Sequence, residues 1–253
     1  MHWSDEAIVL GLRGLGEASA VLDLMTATRG RQRGIVRGAR SRRMAAVLQP
    51  GNRVLASWRA RLDHQLGQFG IEPLALRAAV IMDRPIALFA LQVMADHLRL
   101  LAEREAHDAL YAAADAALAG FAAPDEPDAV AIGMFMARFE LALLMESGFG
   151  LDLSRCAVTG AVDHLAFVSP RSGRAVSRAA ARGFEDRLLP LPRFLIGLTG
   201  DNQPARALDE ALRLTGFFLE RHLYAPRNLR EPAARPELIA RLSRALTERS
   251  GEG

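Results

Sequence analysis

Residues 6–37 read EAIVLGLRGLGEASAVLDLMTATRGRQRGIVR, and this stretch decides how the beginning of the chain folds. Three short runs of apolar and β-branched residues are separated by turns that contain glycine: 6–12, 18–25 and 31–37. Runs of this length between glycine turns are typical of β-strands. The segment Gly11-Leu-Arg-Gly-Leu-Gly16 therefore predicts a hairpin turn and not a nucleotide-binding loop, because a strand follows it where such a loop needs a helix.

Two further runs of the same kind follow, at 53–61 after the turn Pro50-Gly51-Asn52 and at 65–72. Five short strands within about 75 residues, joined by glycine turns, predict a small barrel, and this strand number is typical of an OB-fold. After residue 80 the apolar residues recur with helical spacing. The sequence therefore predicts an α+β protein, in which a five-stranded OB-fold barrel precedes a mainly α-helical domain.

The helical part divides into six predicted helices, and Asp83 is the predicted N-cap of the first, with Pro85 in its first turn. The six ranges are 83–101, 107–121, 128–147, 190–198, 204–224 and 236–249. Residues 149–182 between the third and fourth helices predict an irregular segment with a hairpin. We assign residues 1–80 to an OB-fold nucleic-acid-binding domain and residues 81–253 to a helical domain.

All 32 basic residues are arginine, and the chain has no lysine. This excludes Schiff-base chemistry and a P-loop, because both need a lysine amine. The net charge of +3 conceals an asymmetry: it is +6 in residues 1–80, −7 in residues 81–150 and +4 in residues 151–253. A basic segment joined to an acidic one is typical of a polyanion-binding module fused to another part.

Residues 29–43 hold seven arginines and no acid. Like charges repel, so the run favours a counter-ion such as a nucleic-acid backbone; the alternative is a solvated strand edge that stays charged to prevent pairing. In a strand Arg31, Arg33 and Arg37 share one face, because side chains repeat with period two. Trp58 on the fourth strand either stacks on a base or belongs to the core. The candidate DNA-binding residues are Arg29, Arg31, Arg33, Arg37, Arg40, Arg42, Arg43 and Trp58.

No catalytic pattern stands out in the sequence. Cys156 and His164 lack a third group that would orient a thiol nucleophile, and the six histidines form no ligand-spaced cluster, so we expect no enzyme activity, metal or cofactor. The first residues lack the pattern of a signal peptide, and no apolar run is long enough to span a membrane; this predicts a cytoplasmic, nucleoid-associated protein. The alternative function is a protein–protein adaptor whose barrel is a scaffold with negligible DNA binding.

Several stretches carry a family resemblance, among them Arg33-Gly-Ile-Val-Arg-Gly-Ala-Arg40, Leu48-Gln-Pro-Gly51 and Gly148-Phe-Gly-Leu-Asp152. Through their combination and order the chain resembles the RecO family of bacterial recombination mediators along essentially its full length. The resemblance implies an N-terminal OB-fold and a helical C-terminal domain. It also implies a protein that binds and anneals DNA strands and acts with RecR, on DNA coated by single-strand-binding protein (SSB), to help load RecA.

Many members of that family carry a zinc motif of four cysteines after the third apolar helix. Here Cys156-Ala-Val-Thr159 keeps the first cysteine, and Ser177 and Ala180 stand at the positions of the second pair. Alanine cannot replace a thiolate ligand. The resemblance therefore implies a degenerate, cysteine-poor zinc-finger-like insertion that binds no zinc.

Overall fold

Five strands form the first part of the structure and close into a barrel in the order β1-β2-β3-β5-β4. They are β1 (His2–Leu15), β2 (Ser19–Thr26), β3 (Gly30–Arg37), β4 (Arg53–Arg59) and β5 (Gln68–Ala75). The structure is a computed structural model that describes residues 1–62, 65–125, 127–201 and 203–251. The predicted α+β class, with five N-terminal strands before a helical part, is confirmed.

The length of β1 allows it to pair with two neighbours. Its first half pairs with β4, from His2 opposite Arg59, and its second half pairs with β2, up to Leu15 opposite Ser19. The two parts overlap at Ala7 and Ile8, and a register shift between Val9 and Gly11 interrupts the pairing with β2; such an irregularity lets a strand bend around a barrel. Antiparallel β4 and β5 extend the sheet, and β5 meets β3 in a parallel contact. Apolar side chains from all five strands fill the interior.

Four helices belong with the barrel to one compact unit, Met1–Pro127. They are α1 (Arg42–Val47), α2 (Ala78–Met82), α3 (Pro85–Leu98) and α4 (Asp108–Phe121). The prediction that Asp83 caps a helix is wrong, because Asp83 ends α2 and Arg84 is the N-cap residue of α3. Pro85 explains the break, since the residue before a proline is restricted to an extended backbone, as Arg84 is here. The change of periodicity near residue 80 therefore lies inside a compact unit.

The second compact unit, Asp128–Gly253, begins with α5 (Ala129–Glu146). A three-stranded sheet follows, formed by β6 (Leu165–Val168), β7 (Ala175–Ser177) and β8 (Leu189–Pro190) in the order β7-β6-β8. Two further helices, α6 (Pro204–Leu219) and α7 (Ala234–Gly251), pack against α5 and each other. The predicted hairpin is present as antiparallel β6 and β7. No helix in the described ranges is long and apolar enough to cross a membrane.

The prediction of a fourth helix at residues 190–198 is wrong. Its first residue, Pro190, pairs with Phe167 as part of β8, and only a 3₁₀ turn at Arg193–Ile196 follows. Gly197 ends that turn in the left-handed region, with φ of 75°. Proline restricts the residue before it to an extended backbone, and Pro190 and Pro192 place this restriction on Leu189 and Leu191, so no α-helix begins before Pro192.

Candidate nucleic-acid interface

The outer face of β3 presents the predicted arginines. Gln32, Gly34 and Val36 are buried on the inner face of β3. Arg33 and Arg37 lie on the opposite face and are exposed. The period-two prediction for this strand is therefore confirmed. Arg31 shares the outward register but is largely covered, with only 15% of its side chain exposed.

The Arg31 guanidinium is held by groups within the same unit. Its Nε and Nη2 atoms donate to the carboxylate of Asp23 on the adjacent strand, at 2.9 and 2.7 Å, and Nη1 donates to the carbonyl of Arg99. Burial alone would lower the pKa of Arg31, but the hydrogen bond and charge of Asp23 outweigh it and raise that pKa above its ordinary value. Its donors are committed to these bonds, so we leave Arg31 out of the surface that can bind phosphate.

Trp58 also lies outside that surface. Its side chain is 2% exposed, its Nε1 donates to the carbonyl of Leu66, and its ring stacks on Trp3 with centroids 5.8 Å apart. Of the two interpretations of Trp58 the structure places it in the core, and an enclosed indole cannot stack on a base. Arg29 is exposed and lies over the outer side of this pair, 5.3 Å from the centroid of the Trp3 ring.

The loop after β3 and helix α1 are firmly attached to the barrel. Ala39 is buried, and its amide donates to the carbonyl of Ala18. Buried Asn52 donates to the carbonyls of Ala46 and Val47 at the end of α1, at 2.9 and 3.0 Å, and its side-chain oxygen accepts bonds from two backbone amides ahead of α2 and at its start. The exposed arginines of this region are therefore displayed on a fixed backbone: Arg37, Arg40, Arg42 and Arg43.

The positions of the two arginines at the start of helix α1 do not stabilise the helix. Arg42 and Arg43 occupy its first turn, which contains no acidic residue, and positive charge at a helix N-terminus is unfavourable. Ser41 caps the helix by accepting a bond from the amide of Met44 at 3.3 Å. The cap explains the start of the helix, whereas the charge placement favours an external anion.

The acidic middle of the sequence, residues 81–150, neutralises part of the charge of the basic head, residues 1–80. Arg33 pairs with Glu103 at 2.5 Å, and Asp115 pairs with Arg77 at 2.6 Å and with Arg53 at 3.2 Å. The other arginines of the head are exposed and form no ion pair with any residue that the structure describes. They are Arg13, Arg29, Arg37, Arg40, Arg42, Arg43, Arg59 and Arg61.

Arg13 lies beside the candidate surface, and the sequence analysis missed it. It borders a groove of about 260 Å³ across β1, β2 and β3, with Leu12 and Val21 as apolar lining and Arg33 on the opposite side. Arg40 lies over the β1–β2 turn, since its Nη2 is 3.5 Å from the position a side chain at Gly14 would take. The turn at Gly14 and Gly16 suggested only a hairpin, and nothing in the sequence pattern places Arg13 beside the arginines of β3.

Arg59 and Arg61 were missed for the same reason. They line a cleft of about 610 Å³ with His2 and Gln68. Gln68 pairs with both Arg59 and Ile35, so β5 separates this cleft from β3. Neighbouring strands are about 4.8 Å apart, which puts Arg59 within about 10 Å of β3 along the sheet. The basic surface therefore continues around one end of the barrel.

The second unit contains the four positions that the family resemblance aligns with a zinc motif. Cys156 is 1% exposed and accepts a hydrogen bond at Sγ from the amide of Ser177, at 3.3 Å. Burial alone would raise the pKa of the Cys156 thiol, but hydrogen bonds from Ser177 and Thr159 outweigh it and lower the pKa to about 6. The other three positions carry Thr159, Ser177 and Ala180, and no group of three metal-binding side chains occurs in the described part of the chain. These residues do not fit a zinc ion, which needs four ligands.

We therefore expect the purified protein to hold far less than one zinc per chain. Converting Thr159, Ser177 and Ala180 together to cysteine should raise this to about one zinc per chain, because four thiolates would then replace the hydrogen bond at Cys156. Elemental analysis after dialysis measures both values. The same triple substitution combined with Cys156→Ser is the control, and stoichiometric zinc in the unaltered protein would contradict the expectation.

An apolar cavity of about 310 Å³ lies between α5, the 3₁₀ turn and the start of α6. Its lining includes Val130, Met134 and Leu198, and Arg138 stands beside Phe194, with the guanidinium carbon 5.6 Å from the ring centroid. Arg138 also donates to the carbonyl of Phe194 at 3.1 Å. The cavity is therefore mainly apolar and is bordered by one cation, Arg138, and one carboxylate, Asp201, which accepts bonds from the amides of Arg193 and Phe194.

The barrel and its exposed arginines define a β-barrel protein with a basic surface, joined to a helical unit. Two family models match it, Recombination protein O N terminal over residues 1–75 and Recombination protein O C terminal over residues 84–231. The chain belongs to the RecO family of DNA repair proteins.

Full-length relatives agree with this assignment. The DNA repair protein RecO of Chelativorans sp. (strain BNC1) is 50% identical over 248 residues, which cover 98% of each chain. That of Mesorhizobium japonicum is 51% identical over 242 residues, covering 96% of this chain and 94% of the relative. That of Methylobacterium nodulans is 51% identical over 244 residues, covering 95% and 97%.

Proposed function

We propose that this chain is a non-enzymatic recombination mediator whose barrel, an OB-fold, binds DNA through its phosphate backbone. The observation that carries the proposal is a set of exposed arginines on a fixed support, above all Arg37, Arg40, Arg42 and Arg43, which have no acidic partner among the described residues. Guanidinium groups bind phosphate in a bidentate manner and stay charged at any physiological pH. Arg33 can join them, since its partly exposed bond to Glu103 is of a kind that contributes little stability.

Such a surface favours binding with little base readout, because phosphate contacts carry no sequence information. It also supports strand annealing, since one basic surface can neutralise two strands and reduce the repulsion between them. The RecO family assignment supports the remaining steps of the proposal: action with RecR, on DNA coated by SSB, to help load RecA. The family resemblance implies that basic and apolar residues of the helical domain contact the SSB tail, and the apolar cavity beside Arg138 is a candidate for that contact.

A titration over a range of salt concentrations tests this function against the adaptor alternative. We expect fluorescently labelled single-stranded DNA to bind tightly at low salt, with affinity that falls linearly on a log–log plot as counterions compete. The alternative predicts negligible binding to bare DNA at physiological salt and binding only to DNA coated with SSB. Binding confined to coated DNA would overturn the proposal.

Ion pairs use some carboxylates of the acidic middle that the adaptor alternative needs. Glu103 and Asp115 contact Arg33, Arg53 and Arg77 of the head, so these two carboxylates balance charge within the first unit, whereas others such as Asp83, Glu105 and Asp108 are exposed. The arginines that remain unbalanced face solvent on the barrel. The charge asymmetry of the sequence therefore persists in the structure as a basic barrel surface.

A further inference from the structure

Two tight turns in the second unit are joined side by side. In each turn the amide of the last residue donates to the carbonyl of the first: Gly160 to Cys156 at 2.9 Å, and Ala181 to Ser177 at 3.0 Å. The Ser177 amide also donates to the sulfur of Cys156 at 3.3 Å, which connects the turns directly. We call residues 156–160 and 177–181 the paired turns. Hydrogen bonds therefore hold the paired turns in place.

The paired turns carry exposed positive charge. Residues 153–184 contain five arginines and one acid, Asp163; Asp152 just before this range pairs with Arg174 at 3.4 Å, and Glu185 and Asp186 follow it. Arg155, Arg178 and Arg182 directly flank the turns, are exposed and form no ion pair with any residue in the described ranges. The link between Ser177 and Cys156 also brings the backbones of their neighbours, Arg178 and Arg155, close together. The three arginines therefore flank two turns that are joined directly by a hydrogen bond.

The same area exposes apolar side chains. Val158 within the first turn is 71% exposed and Val162 just after it is 66% exposed. Neither valine belongs to the core of the unit, whereas Cys156 and Val176 of the same segment are buried. Exposed apolar groups among cations suit a ligand that has both charged and apolar parts, and a single nucleic-acid strand with unstacked bases is such a ligand.

We propose that the paired turns are a second nucleic-acid contact, in which Arg155, Arg178 and Arg182 bind phosphates of a single strand while the valines lie against its bases. The site is in a different compact unit from the barrel surface, and it shares with the proposed function only the class of ligand. Two separate cationic surfaces let one molecule hold two strands at once. This would contribute to annealing beyond what one surface achieves by neutralisation alone.

Four forms of the full chain test the proposal. They are the unaltered protein, a turn variant (Arg155, Arg178 and Arg182 to Ala), a barrel variant (Arg37, Arg40, Arg42 and Arg43 to Ala) and the combination of both. Binding of fluorescein-labelled oligothymidylate is measured against salt for each form. We expect the turn variant to flatten the log–log slope by about 2, since each contact with a single strand contributes about 0.7. We expect the same flattening when the turn substitutions are added to the barrel variant.

Matched controls separate this effect from net charge and from misfolding. Replacing Arg213, Arg230 and Arg244 with alanine removes the same charge from exposed positions elsewhere in the unit and should leave the slope unchanged. Lysine at the three turn positions keeps the charge and should restore most of the slope. Thermal unfolding confirms that each variant folds.

Equal salt slopes for the turn variant and the unaltered protein would overturn the proposal of a second DNA contact. A turn variant that binds DNA normally but no longer binds an acidic protein would overturn it as well. Failure of the proposed function looks different, because there the barrel variant keeps its slope while the turn variant alone loses it. A second readout is the capture of two differently labelled strands by one molecule. This capture should fall at least several-fold in either variant.

Discussion

Replacing Arg37, Arg40, Arg42 and Arg43 with alanine should weaken binding to single-stranded DNA about 100-fold at physiological salt. Four phosphate contacts contribute about 3 to the slope of log affinity against log salt, and this corresponds to about two decades of affinity near 0.15 M salt. These four arginines are exposed and lack acidic partners among the described residues, so their charge is available to phosphate. Fluorescence anisotropy at several salt concentrations measures both the affinity and the slope.

Two controls show whether the effect belongs to this surface. Arg31→Ala alters the same strand but removes a guanidinium already bonded to Asp23 and to the carbonyl of Arg99, so we expect lower stability with an unchanged slope. Alanine at four exposed arginines of the second unit removes the same net charge: Arg193, Arg213, Arg230 and Arg244. If the control and the barrel variant lose affinity equally, general charge and not a specific surface drives binding.

The strands of the barrel were predictable because local sequence decides them. Gly30 bounds β3 before Arg31 and Gly38 follows its end, and the buried and exposed positions between them alternate. The true start of β1 at His2 was not visible, because Ser4 and Asp5 are polar and pair with β4 only in the folded barrel. Helix α1 was missed because six residues with two arginines at the start show no helical period.

The site could be predicted as a segment but not residue by residue. Arg31 and Arg37 have the same strand register, and the sequence offers no way to rank them. What separates them is Asp23 on the adjacent strand and the carbonyl of Arg99, 68 residues away. Arg13 joins the surface through the pairing of β1 with β2. In each case a contact between distant residues decides which arginine is free.

The largest effect on stability is expected in the second unit, at Glu140. This carboxylate is 1% exposed and accepts two bonds from Arg235, from Nε at 2.8 Å and from Nη2 at 2.9 Å. Arg235 also donates to Glu231 at 2.7 Å and to the carbonyl of Leu212 at 2.7 Å. Burial alone would lower the pKa of Arg235, but the charge of Glu140 and its hydrogen bonds outweigh it and raise that pKa above its ordinary value. Both groups therefore remain charged as a buried pair.

Arg235→Met should lower the free energy of unfolding by about 3–5 kcal/mol, because it leaves the Glu140 charge buried without its partner. Urea-induced unfolding followed by circular dichroism measures the loss. The double variant Glu140→Leu with Arg235→Met should recover most of it, since removing both charges avoids the desolvation penalty. The salt slope of DNA binding should stay the same in the double variant, because neither residue reaches a basic surface.

If Arg235→Met lowers the free energy of unfolding by less than about 1 kcal/mol, water or a local rearrangement stabilises the Glu140 carboxylate in place of Arg235. The pair would then contribute no more than an exposed ion pair does. Arg235→Lys separates charge from geometry. A lysine keeps the positive charge but cannot donate to both oxygens of Glu140 and also reach Leu212 and Glu231, so an intermediate loss is expected. A lysine variant as stable as the unaltered protein would show that charge alone, without the bidentate geometry, holds α7 against α5.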